Sequence, residues 1–157
     1  MTKHFTLRSA PQRVRDLLPD EAESLIANRF AVVNVWKPIS GSVQESPLAF
    51  QDARTVADGD VLATDLRYHE RTGEIYSYTY NPGHRWYYYP EMRRDEALLI
   101  KQWDSAGTLA RSDGARADAD DQEAPCTFNF HSAFTNPSTP QNAPDRWSIE
   151  VRCLVVY

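Results

Sequence analysis

From Phe30 onward the chain is a succession of short β-type runs separated by turn residues, and that succession leaves few folds open. Phe30–Trp36 is rich in β-branched and aromatic residues and is stopped by Pro38 and Gly41. Asp58-Gly59 turns the chain before Val61-Leu62-Ala63. Glu74–Tyr80 and Arg85–Tyr89 flank Asn81-Pro82-Gly83, which predicts a hairpin. Leu98–Asp104, Thr127–Phe130 and Trp147–Tyr157 complete the set. Many short strands with turn chemistry between them predict a mainly β fold: a sandwich, a jelly roll or a barrel. Helix signals are confined to the front. Ser9-Ala10-Pro11 reads as a helix start with Ser9 as cap, and a second start follows at Pro19-Asp20-Glu21. Residues 10–29 are therefore expected as one broken helix or two short ones.

The 157 residues, 41% hydrophobic and 25% charged, suit a single domain spanning 1–157, with no repeat or linker to divide it. Between Ala106 and Pro125 acids alternate with Ala, Gly and Ser and little can be buried, so 106–125 is expected to be a mobile loop. No run approaches the ~20 apolar residues that span a bilayer, so no membrane partner is expected. Met1-Thr2-Lys3-His4-Phe5 has no apolar leader character, and Cys126 and Cys153 are too few for a disulfide scaffold. A reducing, cytoplasmic setting follows as the expectation. With a net charge of -5 and no basic run flanked by stacking aromatics, nucleic acid is not an expected partner. Phosphate-cradling glycine loops, the nucleophile-elbow serine and the His-Glu-x-x-His zinc motif are all absent from the sequence.

Candidate chemistry gathers near the C-terminus. In Asp145–Leu154, period-two alternation places Trp147, Ile149, Val151 and Cys153 on one face and Arg146, Ser148, Glu150 and Arg152 on the other. Two arginines on one strand face can hold a carboxylate through forked hydrogen bonds, or form a solvent-facing salt-bridge ladder. His131 ends an aromatic run and precedes Arg146 by a spacing that lets both point into one barrel mouth. His69 and His84 read as surface turn residues, and Lys101 and Asp104 as opposite faces of one strand. Six of the eight tyrosines fall between Tyr76 and Tyr89, where they either pack a sheet or line a pocket for an apolar ligand.

Several segments, taken in order, carry a resemblance: Pro11-Gln12-Arg13-Val14-Arg15-Asp16-Leu17-Leu18, Asn34-Val35-Trp36-Lys37-Pro38-Ile39, Pro47-Leu48-Ala49, and His84-Arg85-Trp86-Tyr87-Tyr88-Tyr89. Leu98–Ser105, His131-Ser132-Ala133-Phe134 and Arg146–Arg152 continue it. The set resembles the hydroxylase/desaturase-like branch of Fe(II)/2-oxoglutarate-dependent oxygenases of secondary metabolism. The resemblance implies a double-stranded β-helix, a jelly roll of cupin type, incomplete here at the N-terminus and preceded by a short helical region. It also implies iron held by a His-x-Asp pair and a distant histidine, with open positions for 2-oxoglutarate and oxygen. His131 matches the distant histidine. Arg146 matches the co-substrate carboxylate anchor best, with Arg152 second. Thr2 stands where the family has its first histidine, and His4 where it has the aspartate.

That departure sets the functional expectations. The first is a natural-product enzyme that has lost iron ligands, takes no cofactor, and performs an isomerisation, cyclisation or pericyclic step on a small apolar biosynthetic intermediate. His131, Arg146 and Arg152 would be catalytic, and Asn34, Trp36, Tyr87 and Trp103 would bind substrate. The alternatives are a working oxygenase using Fe(II) and 2-oxoglutarate, with His4 and His131 on the metal, and a non-catalytic partner of a longer homologue. An uncovered sheet edge would favour a homodimer.

Overall fold

The computed structural model describes residues 4–57, 59–67, 69, 72–111 and 126–157. Two short helices, α1 (Ser9–Leu17) and α2 (Ala22–Ile26), precede the strands. The expected cap shifts upstream. Ser9 is already helical, while Thr6 and Ser9 each donate a backbone N–H to the other's hydroxyl, at 2.9 and 3.1 Å. This is capping-box geometry, with Thr6 at the cap. Ala10, Val14 and Ala22 then bury the helices' apolar sides against the β core.

The strands form three antiparallel sheets. In the first, β1 (Phe30–Pro38) lies between β6 (Leu98–Asp104) and β8 (Ser148–Val156). The second orders β5 (Trp86–Tyr88), β2 (Leu48–Gln51) and β7 (His131–Ala133). The third pairs β3 (Val61–Arg67) with β4 (Thr72–Tyr78), and His4 adds a bridge to Tyr76. Two apolar clusters fill the interior, one around Phe30, Val32, Trp103, Phe128 and Phe130, the other around Trp36, Val43, Met92 and Ile100. The result is the mainly β jelly roll with a helical front that the sequence implies.

Strand alternation sets what faces inward. Phe30, Val32, Asn34 and Trp36 of β1 are buried on one face, and the register brings Arg152 opposite Asn34 and Glu150 opposite Trp36 on that face. A register shift between Val32 and Val33 breaks the pairing with β6 at Gln102. The apolar alternate residues of β8 take the outer face. Leu99, Ile149 and Val151 flank Val35 and Lys37 there and are 74%, 51% and 55% exposed. On β8, then, the polar residues share the face of Asn34 and Trp36, where Glu150 and Arg152 remain exposed, and the apolar residues take the other face.

Three expectations are corrected. The turn at Asn81-Pro82-Gly83 forms, with Asn81 Oδ1 accepting the Gly83 N–H at 2.9 Å, but it does not close a hairpin. β4 pairs with β3 and β5 with β2, so the turn carries the chain from one sheet to another. The Asp60 carboxylate captures its flanks, accepting from the Ala57 N–H, Asn81 Nδ2 and His84 Nε2 at 2.6, 3.1 and 2.9 Å. His84 is accordingly no surface histidine, since its side chain is only 3% exposed. Thr127–Phe130 is not a strand either: Phe128 and Phe130 drop into the core, and pairing starts at His131. Of the expected 106–125 loop, Thr108–Arg111 forms a short helix, α3, and 112–125 lies outside the described residues.

Candidate functional site

His131 opens β7, and the register sets it beside Phe50 of β2, itself opposite Tyr87 of β5. The three residues form one row on one face, with the imidazole stacked on Phe50 at 5.8 Å between ring centres. His131 Nδ1 lies 3.2 Å from the Asn129 carbonyl. A proton on Nδ1 satisfies that carbonyl and leaves Nε2 as a lone-pair acceptor. Burial lowers the pKa of His131, opposed in part by the Asn129 carbonyl and by Glu150.

His4 meets His131 edge-on, with ring centres 5.3 Å apart, and packs against Phe128 and Phe130. It is wholly buried, and among the described residues neither ring nitrogen has a hydrogen-bond partner. Burial first, then His131 and Arg152, lower its pKa to about 3, the Gln102 backbone opposing only in part. Both imidazoles are thus neutral at physiological pH.

Between β1 and β8 a polar row crosses the same interior. Asn34, fully buried, donates from Nδ2 to Glu150 and accepts from Arg152 Nε at 3.0 Å. Its amide is used at both ends, so it positions charged neighbours. The Arg152 guanidinium lies over Phe5 at 5.3 Å. A cleft of about 510 Å³ opens here, lined by His4, Phe5 and Arg152 together with α1 and the β3–β4 hairpin.

The structure therefore brings His131, His4, Asn34 and Arg152 into one neighbourhood, with Tyr87 at its rim, 58% exposed. Arg146 stands apart: its guanidinium covers the Trp36 ring at 5.6 Å and donates to the carbonyl of Ser46, a residue with φ of 48°. Trp36 lies on the inner face next to Phe50, whereas Trp103 is a core residue packed with Phe30 and Phe130. Glu150 and Phe50 belong to the site as well. The first shares the arginines' alternating face, which is a readable signal; a lone phenylalanine in a four-residue strand gives none.

A family model described as an oxidoreductase/YMDC permease-like domain matches residues 4–156. The chain is 39% identical over 150 residues to aspirochlorine biosynthesis protein N of Aspergillus oryzae, covering 94% of this chain and 57% of that one. It is 36% identical to the hydroxylase/desaturase asaB of Aspergillus flavus, covering 87% and 60%. The structure superposes on the iron and alpha-ketoglutarate-dependent endoperoxidase NvfI with a TM-score of 0.80 and 29% identity, over 99% of this chain and 53% of that one. The chain belongs to the family of that model, and its relatives include hydroxylase/desaturase and iron and alpha-ketoglutarate-dependent enzymes. It spans about half the length of these relatives.

An iron of the family's kind takes two histidines and a carboxylate and keeps positions open. Among the described residues no group of three or more His, Cys, Asp or Glu side chains is placed to hold a metal. His4 and His131 supply two nitrogen donors, and Thr2 lies outside the described residues. The described donor set does not fit a two-histidine, one-carboxylate iron.

Proposed function

We propose that this chain serves natural-product biosynthesis on the oxygenase scaffold and performs a non-redox isomerisation, cyclisation or pericyclic step on a small, largely apolar molecule. The observation that carries this reading is the pair of neutral, buried imidazoles of His4 and His131, set edge-on with ring centres 5.3 Å apart. His131 Nε2 takes a proton from carbon beside a carbonyl and returns it at a conjugated position. Arg152 holds that carbonyl or a carboxylate through its outer nitrogens. Phe50, Tyr87 and Trp36 orient the apolar body, and orientation of this kind supplies several kcal/mol of a barrier. A homodimer belongs to the same proposal and would appear in light scattering at twice the 17.9 kDa chain mass.

A second reading is the Fe(II)/2-oxoglutarate oxygenase itself, favoured by the two unpartnered nitrogens of His4 beside His131. Elemental analysis before and after anaerobic incubation with Fe(II) and 2-oxoglutarate separates the two. Non-redox catalysis predicts no stoichiometric iron, and turnover abolished in His131→Ala with the fold intact. Iron at one per chain that depends on His131, with succinate formed, would establish the oxygenase instead. Absence of turnover alone, with co-purification of a longer homologue, would assign a binding role.

A further inference from the structure

The cleft beside His4 carries charges beyond Arg152, the one that the proton-transfer reading uses. Asp65 of β3 and Glu74 of β4 are direct cross-strand partners, and both line it. Like charges directly opposite in an antiparallel pair repel. Glu74 accepts the Thr6 hydroxyl, and among the described residues neither carboxylate has a basic partner within 4 Å. Across the cleft stand Arg8 and Arg13 of the α1 segment and Arg152 of β8. Among the described residues Arg152 donates through Nε alone, to Asn34, and Arg8 and Arg13 make no ion pair, Asp16 also lining their side of the cleft. His4 also lines the cleft, fully buried and, among the described residues, unpartnered at both nitrogens.

A lining that carries both signs, with Asp65 and Glu74 on the hairpin, Arg8, Arg13 and Asp16 on the helix side and Arg152 on β8, fits a ligand that carries both signs. We infer that the cleft binds a zwitterion: an amino-acid-type head whose ammonium lies between Asp65 and Glu74 and whose carboxylate is forked by Arg152 and Arg8. Phe5 and Leu66 give its apolar body a surface. A cation between Asp65 and Glu74 relieves their repulsion, and a carboxylate on a guanidinium fork makes charge-assisted bonds. This inference rests on the proposed function in that the cleft reaches His4, which packs on His131, and in that Arg152 serves both. It names the substrate's polar head and leaves the reaction as proposed.

The test is calorimetric titration of the full chain with L-phenylalanine, 3-phenylpropanoate, 2-phenylethylamine and 2-oxoglutarate. The expected result is binding of L-phenylalanine at least tenfold tighter than either analogue lacking one charge. Asp65→Asn should weaken the two amines at least tenfold and leave 3-phenylpropanoate unchanged. Arg152→Gln should weaken the acids and spare the amine. Circular dichroism of each variant checks the fold, which exposed positions tolerate. Equal affinity for 3-phenylpropanoate and L-phenylalanine would overturn the inference, as would tighter 2-oxoglutarate binding that improves in Asp65→Asn. Absence of binding by any probe at millimolar concentration would also overturn it. The titration is repeated in His131→Ala, where turnover is expected to vanish and L-phenylalanine binding to persist, so failure of catalysis and failure of head recognition are read separately.

Discussion

Replacing His4 by leucine tests whether a neutral imidazole is buried at the site. His4 is wholly buried, both ring nitrogens lack partners among the described residues, and its pKa falls from 6.5 to about 3, through burial first and then His131 and Arg152. The folded pKa lies below the unfolded one, so the unfolded chain takes up the proton first. Stability from this group is complete above pH 6.5 and is lost as pH falls through the window from 6.5 to about 3. The slope is ~1.4 kcal/mol per pH unit, so moving from pH 7.5 to pH 5 removes about 2 kcal/mol. His131, lowered in the same direction, adds to the slope in both chains. Leucine removes His4's share. It also removes two unmet hydrogen-bonding atoms, each costing ~1–3 kcal/mol, and gives up ring contacts with Phe128, Phe130 and His131 worth roughly 0.5–1.5 kcal/mol each. These nearly cancel at pH 7.5, so the variant should lie within ~2 kcal/mol of the native chain there. At pH 5 it should gain about 2 kcal/mol relative to native. Urea denaturation at both pH values, followed through the buried Trp36 and Trp103, measures this. An identical stability difference at the two pH values would refute the reasoning, because it would mean that His4 titrates as freely in the fold as outside it.

Asp104→Asn should cost about 2–3 kcal/mol, less than a fully buried pair because Arg29 is partly exposed. Arg29 holds the Asp104 carboxylate through two bonds of 3.1 and 2.8 Å. Burial pushes that carboxyl up, but Arg29, the Ala106 N–H and Lys101 together hold it below its ordinary value. The native advantage should therefore be present above pH ~4 and vanish as pH falls through the lowered value, checked by acid titration of far-ultraviolet circular dichroism. Gly107→Ala should destabilise by ~1–3 kcal/mol in thermal unfolding, since its Cβ would sit 2.3 Å from the Thr127 backbone. Arg146→Gln should lower stability by about 1–2 kcal/mol through loss of the Trp36 and Ser46 contacts, with ligand affinity in the cleft unchanged. A fall in carboxylate affinity would make Arg146 the anchor instead.

What was legible follows from how far each interaction reaches along the chain. β1, β6 and β8 are readable because β-rich alternation is a local property. The alternation in β8 separates two faces correctly but carries no sign for which is inward. The polar face lies on the side of the buried Asn34, which bonds both Glu150 and Arg152, and the apolar face is turned away from it. Asn-Pro-Gly specifies a turn and not a partner, and Asp60, from a distant loop, decides where the flanks go. The cap at Thr6 is missed because Ser9 beside Pro11 imitates one, and only the reciprocal Thr6–Ser9 bonds distinguish them. Phe50 could not be read at all: its role comes from register with His131, which local pattern does not encode.

The same register explains why two adjacent imidazoles need not share one role. Asn34, wholly buried on the central strand, uses its carbonyl oxygen for Arg152 and its amino group for Glu150, and so fixes a cation and an anion on one inner face. The cation acts on His4, where it adds to burial in disfavouring the proton. The anion acts on His131, where it opposes burial and favours the proton. Two groups of identical chemistry are thereby pushed toward different proton affinities, which is how acid–base roles are assigned within a pair. His131, with its Nδ1 proton held by Asn129 and Glu150 nearby, is the member able to accept a proton at Nε2. His4 stays neutral, one ring nitrogen a donor and the other an acceptor, against the cleft where a ligand's charged head would enter. Asn34→Leu should dissolve this distinction: with the amide gone, Arg152 and Glu150 lose their bridge, and the two histidine resonances in a proton NMR titration should move closer together. Unchanged separation of the two titrations would show that burial alone sets them.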